Sequence, residues 1–187
     1  MKLPGILTLS AILLASEVAL ALSKRSKTKT PGQDGFTLPL LWVIIGLSIW
    51  AGFYCRGAFP EGRASHPSAV YLIGLIIFVL GLIVRWSAIV YLGRFFTVNV
   101  SIAHDHRLVT TGPYQYVRHP SYTGVLMLFF GFGLCLLNYF SLLAVFLPIC
   151  IGFLWRMRVE EQTLREAFGQ RYQEYAARTR RIIPFVF

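Results

Sequence analysis

Charged residues are scarce in this chain of 187 residues, of which they make up 14%, and only eight of them are acidic. A soluble domain of this size needs more polar side chains to cover its core. Hydrophobic residues make up 56% of the chain instead, and they stand in long blocks with a mean hydropathy of +0.61. This pattern excludes an ordinary soluble domain and indicates an integral membrane protein.

Cysteine is scarce as well, which excludes a disulfide framework. The three cysteines, Cys55, Cys135 and Cys150, are odd in number and lack metal-ligand spacing. His104 and His106 lie close together, but their spacing suits a tetrahedral metal site poorly and no cysteine is near. The sequence also lacks Walker A, Ser-His-Asp and Gly-x-Ser-x-Gly patterns. We therefore expect no metal site.

The apolar blocks define the predicted fold. Five segments emerge, at 3–22, 36–54, 68–92, 121–137 and 139–155. The last two have 17 residues each, which is near the short limit for a spanning helix, and only Asn138 separates them. They should form a tight helical hairpin. We predict an all-α transmembrane bundle of about five spans as one domain, 1–187. Spans one to three lie in 1–92, and the hairpin 121–155 and an amphipathic C-terminal tail lie in 93–187.

The first segment has a second interpretation, as a secretory signal. Its residues 19–21 read Ala-Leu-Ala, which resembles a cleavage site. The cations that follow at once, which resist translocation, are Lys24, Arg25, Lys27 and Lys29. The sequence favours a retained span and leaves cleavage open.

Lysine and arginine concentrate in alternate connections between the segments. Four follow the first span, three lie in 93–120 and seven lie in 156–187, which makes 14 of the 18. By the positive-inside rule, the N-terminus faces outward and the two long polar segments and the C-terminus face the cytoplasm. The net charge of +10 is thereby explained by topology, without nucleic-acid binding. Arg85 lies within a span, where we expect it to snorkel or to pair with a polar group.

Two polar groups stand at the inner ends of the last two spans. Arg118 and His119 precede Pro120, which suits the first turn of a helix because its missing N–H does no harm there. Arg156 and Glu160 lie four residues apart and share a helical face. Each group could be an ordinary interfacial anchor or ion pair, worth a few tenths of a kcal/mol. Charge at the end of a span also often marks a functional site.

A longer motif joins these two groups. In chain order it comprises His106-Arg107-Leu108-Val109, Gly112-Pro113-Tyr114, Arg118-His119-Pro120-Ser121-Tyr122, Gly124, Arg156, Glu160-Glu161, Phe168-Gly169, Tyr172, Tyr175 and Pro184. With this motif the chain resembles the isoprenylcysteine carboxyl methyltransferase family of membrane enzymes over roughly 99–184. The arginine–histidine–proline block with paired glutamates is specific to the superfamily and less specific to its substrates.

The resemblance implies S-adenosylmethionine-dependent methyl transfer at the membrane face, with S-adenosylhomocysteine as product. The cofactor pocket would lie between the 93–120 connector and the C-terminal helix. The cofactor-binding residues that the resemblance implies are His106, Arg107, Leu108, Val109, Tyr114, His119, Pro120, Ser121, Tyr122 and Glu160, with Asn99 standing where the family often has another amide. Arg156 would hold the acceptor carboxylate. The 93–187 half would be the catalytic core.

The chemistry of these side chains suits that reaction. The Glu160 carboxylate matches the cofactor's ammonium, and the His119 ring can donate to oxygen acceptors. The faces of Tyr114 and Tyr122 attract a sulfonium or line an adenine pocket. A carboxylate acceptor is already a nucleophile at pH 7, so Arg156 need only orient it. A lipophilic acceptor would enter from the bilayer and the cofactor from the cytoplasm, with membrane lipids as the other partners.

Other functions remain open at this point. A phospholipid amine or a small thiol could be the acceptor on the same fold. A sterol-reductase-like NADPH enzyme is less favoured, because such enzymes are usually larger and the chain offers no obvious second nucleotide site. A non-catalytic membrane scaffold would leave the two polar groups without a purpose.

Overall fold

The computed structural model describes residues 3–23, 36–96 and 108–183. Its helices are α1 (Ile6–Ser23), α2 (Thr37–Ala58), α3 (Pro67–Leu92), α4 (Pro120–Cys135), α5 (Tyr139–Phe168) and α6 (Gln170–Arg178). Short 3₁₀ turns lie at Pro60–Gly62, Gly93–Phe95 and Gly112–Gln115. Across these described ranges no β-strand forms, and the only ladder contacts are two isolated bridges. The predicted all-α class is confirmed.

Three helices, α2, α3 and α5, are long and apolar enough to cross a membrane. Two shorter apolar segments, Ile6–Leu20 in α1 and Pro120–Cys135 in α4, lie beside them. A multi-span helical membrane protein is therefore the observed fold. The count of five spans stays a prediction for α1 and α4.

Polar contacts show which helix ends lie together. At one end the Tyr71 hydroxyl of α3 donates to the Pro4 carbonyl, and Asn138 Nδ2 before α5 donates to the Phe59 carbonyl after α2 at 2.7 Å. At the other end Tyr114 before α4 reaches the carbonyl of Ala88, near the end of α3. Successive helices therefore run in opposite directions. We call the end that holds the start of α4 the site end.

Four glycines allow α3 and α4 to pack unusually closely. A Cβ built on Gly124 of α4 would lie 2.4 Å from the Arg85 nitrogen of α3, and one on Gly81 would lie 2.6 Å from the Leu128 nitrogen. Gly74 and Gly131 make the same kind of approach further along the pair. Small residues let the backbones of membrane helices approach closely, so this seam fixes the register of α3 against α4.

The turn between α4 and α5 forms the expected hairpin. Asn138 precedes α5, and its Oδ1 accepts from the Ser141 backbone nitrogen at 3.0 Å, which caps the helix. At the other end α5 continues without a break to Phe168. There Gly169 adopts a φ of +51° and its N–H bonds to the Arg165 carbonyl, which ends the helix as predicted. This unbroken helix carries polar side chains from the membrane to the site end.

The chain after α6 returns to the segment before α4. We call residues 179–182 the tail strap. The backbone N–H groups of Arg118 and His119 donate to the carbonyls of Arg180 and Arg181, at 2.7 and 3.0 Å. The Thr123 hydroxyl donates to the Ile182 carbonyl at 2.8 Å. The strap therefore fixes the backbone that presents His119 and begins α4.

A buried ion pair joins α1 to α3. Arg85 Nη2 lies 2.8 Å from Glu17 Oε2, and each side chain is only 8% exposed. Beside it Trp86 Nε1 donates to Ser16 Oγ at 2.9 Å. Arg85 thus pairs with a polar group in the bundle, which was one of the two outcomes expected from the sequence.

Candidate functional site

The start of α4 and the site end of α5 bring the two predicted polar groups together. The Tyr122 hydroxyl on α4 donates to Glu160 Oε2 on α5 at 2.7 Å. The Tyr122 ring also packs against His119, with a centroid distance of 5.4 Å, and against Phe153 at 5.5 Å. Glu160 is half-buried, so an anionic oxygen pair remains within reach of a ligand beside two aromatic faces.

Arg156 lies one helical turn before Glu160 and is almost completely buried. Its Nη1 donates to Thr37 Oγ1, in the first turn of α2, at 2.9 Å. The guanidinium also lies close enough to Tyr122 to hydrogen-bond its hydroxyl. Arg156, Glu160 and Tyr122 therefore form one group, in which a cation and an anion stand side by side at the site end.

Glu161 forms the centre of a second cluster. Its carboxylate is 3% exposed and accepts from Arg118 Nε at 3.0 Å and from Arg181 Nη2 at 2.9 Å. His119 Nε2 lies 3.4 Å from the same carboxylate. Three separate segments thus meet on this one side chain: the connector, α5 and the tail strap.

The electrostatics of Glu161 follow from these contacts. Burial alone would raise the pKa of its carboxyl. Hydrogen bonds from His119, Arg181 and Arg118 outweigh burial and hold the pKa of Glu161 well below its ordinary value. Glu161 is therefore ionised at neutral pH and its oxygens are used by the protein, whereas Glu160 is more open.

Arg118 had no assigned role in the sequence, and the structure gives it one. Besides Glu161, its Nη1 donates to the carbonyls of Ala176 and Thr179 at the end of α6. This one side chain therefore ties the connector to both α5 and α6. It is a structural anchor for the backbone that carries His119.

Tyr114 anchors the connector on its other side. It is buried, its hydroxyl donates to the Ala88 carbonyl at 3.2 Å, and its own carbonyl accepts from the Tyr175 hydroxyl at 2.7 Å. Its ring stacks on Tyr91. These contacts give Tyr114 a structural function, and contact with a cofactor stays a prediction.

A cavity of about 640 Å³ lies between the connector and α6. Its lining consists of Leu108, Thr110, Gln115, Phe168, Arg171, Glu174, Tyr175, Arg178 and Thr179. Leu108 is the residue that this lining shares with the predicted cofactor set. Glu160, Tyr122 and His119 belong to the neighbouring group described above, so the predicted cofactor pocket stays a prediction.

The remaining predicted residues divide in two. Pro120 and Ser121 are buried in the first turn of α4, and Val109 is half-buried in the connector. Asn99, His106 and Arg107 lie outside the described residues. Their roles stay predictions.

Sequence reasoning missed three members of these clusters: Thr37, Glu161 and Arg181. Glu161 was part of the recognised motif but received no role, since its neighbour Glu160 already satisfied the expected chemistry. Thr37 and Arg181 gave no signal, because they lie 119 and 20 residues along the chain from Arg156 and Glu161, beyond the reach of a local pattern.

Comparison with known proteins gives these clusters a family context. The family model PEMT, described as phospholipid methyltransferase, matches residues 69–171, more than half of the chain. The chain belongs to this family. The family match includes both the Tyr122–Glu160 contact and Arg156.

Individual relatives of the chain carry a more specific name. The chain is 41% identical over 115 residues to protein-S-isoprenylcysteine O-methyltransferase B of Arabidopsis thaliana, and the match covers 60% of this chain and 58% of the relative. It is 33% identical over 147 residues to protein-S-isoprenylcysteine O-methyltransferase of Tribolium castaneum, covering 78% and 52%. The chain thus spans little more than half the length of these relatives.

The fold comparison agrees. The structure of the eukaryotic intramembrane Ras methyltransferase ICMT (isoprenylcysteine carboxyl methyltransferase) matches with a TM-score of 0.72 and 29% identity. The match covers 97% of this chain and 65% of that one. The resemblance to isoprenylcysteine carboxyl methyltransferases inferred from the motif is confirmed.

Proposed function

We propose that this protein is an integral membrane methyltransferase that transfers a methyl group from S-adenosylmethionine to the carboxylate of a lipophilic, isoprenylcysteine-like acceptor. The observation that carries the proposal is the Arg156–Glu160–Tyr122 group. In this group a buried cation lies beside a half-buried anion, and this pair supports an acceptor carboxylate at the first and a donor ammonium at the second. The names of the relatives support the same reaction.

The donor set fits the cofactor. The Glu160 carboxylate has lone pairs beyond the one that accepts from Tyr122, and these suit an ammonium. The Tyr122 hydroxyl fixes the orientation of that carboxylate, and the tilted rings of Tyr122 and His119 offer aromatic faces. When bound, S-adenosylmethionine would supply a methyl group activated by a sulfonium.

The acceptor needs orientation more than activation. A terminal carboxyl has an ordinary pKa of about 3.5, so it is already an anionic nucleophile at neutral pH. The planar guanidinium of Arg156 can hold it by two parallel hydrogen bonds and aim one oxygen. The ester product is neutral, so its attraction to Arg156 falls and release is favoured. No proton needs to be removed, so the proposed roles include no general base.

The membrane setting is part of the proposal. The site end would face the cytoplasm, because described residues of the two cation-rich segments, among them Arg94, Arg118 and Arg181, lie at this end. The acceptor would arrive through the bilayer and its carboxylate would reach Arg156 near the start of α2. The Glu161 cluster would hold the connector and the tail strap in place around the cofactor.

Titration of purified protein in detergent with S-adenosylhomocysteine tests the cofactor part. We expect saturable binding by the wild type, and weaker binding by Glu160→Gln and His119→Ala. Glu61→Gln, an exposed carboxylate at the opposite end of the bundle, is the matched control and should bind like the wild type. Wild-type protein that binds no S-adenosylhomocysteine would rule the proposal out.

An acceptor panel tests the rest. We expect base-labile methyl incorporation into a prenylated cysteine with a free carboxylate, and none into its carboxamide. Arg156→Ala should abolish this turnover while changing cofactor affinity little. Methylation of phosphatidylethanolamine or of a small thiol instead would replace the proposed acceptor class.

A further inference from the structure

Thr37 lies at the start of α2, in a part of the chain that the motif does not reach. Its side chain is buried, with 6% of the residue exposed, and it contacts Arg156, which is 3% exposed. The bond from Arg156 Nη1 to Thr37 Oγ1 is 2.9 Å long and joins residues 119 apart in sequence. Nothing in the chemistry of methyl transfer requires a threonine there, so its contact with the proposed acceptor-binding arginine needs an explanation.

The geometry of a guanidinium supplies one. Arginine presents five N–H donors in a rigid plane, and a carboxylate occupies two of them along one edge. The direction of that edge depends on the torsions of a long side chain unless another group fixes the plane. A hydroxyl that accepts from Nη1 does so.

The helix that carries Thr37 is well placed for this role because α2 packs firmly on α5. The Ser141 hydroxyl of α5 donates to the Gly52 carbonyl of α2 at 2.7 Å. Nearer the site end, a Cβ on Gly152 of α5 would lie only 3.1 Å from Leu41 of α2. The position of Thr37 relative to Arg156 is thus set by a continuous helix interface.

We propose that Thr37 is a positioning residue that fixes the plane of the Arg156 guanidinium for the acceptor carboxylate. Through it, α2 takes part in acceptor recognition although Thr37 lies outside the segment that the family model matches. This inference rests on the proposed methyl transfer. It predicts a defect mainly in the use of the carboxylate acceptor, since the Thr37 hydroxyl bonds to the proposed acceptor-binding arginine.

The test compares Thr37→Val, which removes the hydroxyl at nearly constant size, with Thr37→Ser, which keeps it. Thr8→Val, on the exposed face of α1, is the control. With a prenylated cysteine as acceptor, Thr37→Val should lower kcat/KM by roughly tenfold, as expected for losing a hydrogen bond to a charged group. Thr37→Ser should restore most of it. Affinity for S-adenosylhomocysteine should stay within about twofold of wild type in both.

A second measurement separates positioning from packing. The carboxamide of the prenylated cysteine has no anionic edge, so its inhibition constant should be almost the same for Thr37→Val and the wild type. Equal kinetics for Thr37→Val and wild type would overturn the inference and leave the proposed function intact. Equal losses in Thr37→Ser and Thr37→Val, or a matching loss of carboxamide affinity, would assign Thr37 to packing and also overturn it. Wild-type protein without methyl transfer would refute the function, and this inference with it.

Discussion

The Arg85–Glu17 ion pair makes a quantitative test of how α1 is held in the bundle. Both side chains are 8% exposed and their charged atoms lie 2.8 Å apart. Replacing Glu17 with leucine leaves the Arg85 guanidinium buried without its counter-charge. Removal of one partner from a buried pair costs about 3–5 kcal/mol, mostly because the other charge remains desolvated. We therefore expect Glu17→Leu and Arg85→Met each to destabilise the folded protein by about 3 kcal/mol.

The double variant Glu17→Leu/Arg85→Met decides whether this reasoning is right. Replacing both members of a buried pair by apolar residues is often close to neutral. The double variant should therefore be more stable than either single variant, with a coupling free energy of several kcal/mol. Unfolding in mixed detergent micelles, followed by tryptophan fluorescence, measures all three against wild type. If the loss of stability in the double variant equalled the sum of the two single losses, the two charges would not stabilise each other, and the argument from the buried ion pair would be refuted.

Three further predictions concern the helix seam and the site. Gly124→Ala should prevent stable folding or lower the unfolding temperature strongly, because its Cβ would meet the Arg85 backbone; Gly46→Ala, with nothing within 4 Å, should not. Glu161→Gln should make the stability of the protein depend less on acid pH. In the wild type the pKa of Glu161 is depressed by folding, so its stabilising contribution is complete above about pH 4.5 and is lost as the pH falls below that. Thermal unfolding of both proteins at pH 3–7 measures the difference. Arg118→Lys should lower S-adenosylhomocysteine affinity by loosening the connector, and unchanged affinity would contradict its role as anchor.

The fold could be predicted largely because the bilayer simplifies the problem. Long apolar blocks leave helices as the natural solution, since backbone polar groups need partners within the segment. Single residues then predict where particular helices begin and end. Pro120 begins α4 and Gly169 ends α5, each because of its own backbone geometry. The Glu17–Arg85 pairing could not be derived, because it depends on how α1 and α3 are rotated towards each other.

The types of side chain in the candidate site could be predicted from the sequence, but the directions in which those side chains point could not. Glu160 and Glu161 are neighbours with the same side chain, yet successive helical residues point about 100° apart. One therefore meets Tyr122 and the other meets Arg118 and Arg181. Which glutamate faces a ligand depends on the rotation of α5, and no local pattern encodes it.

The tail strap has a consequence for the order in which the molecule is made. The α3–α4 seam can close as soon as residue 135 has entered the membrane. The N–H groups of Arg118 and His119, by contrast, can form their hydrogen bonds only after residues 180 and 181, which supply the carbonyls, have been synthesised. During synthesis, the α3–α4 contact therefore becomes available earlier than the bonds of the tail strap. A chain interrupted after α5 could be inserted in the membrane, yet its connector would lack the bonds that hold His119, so correct membrane insertion alone would not report an intact site end.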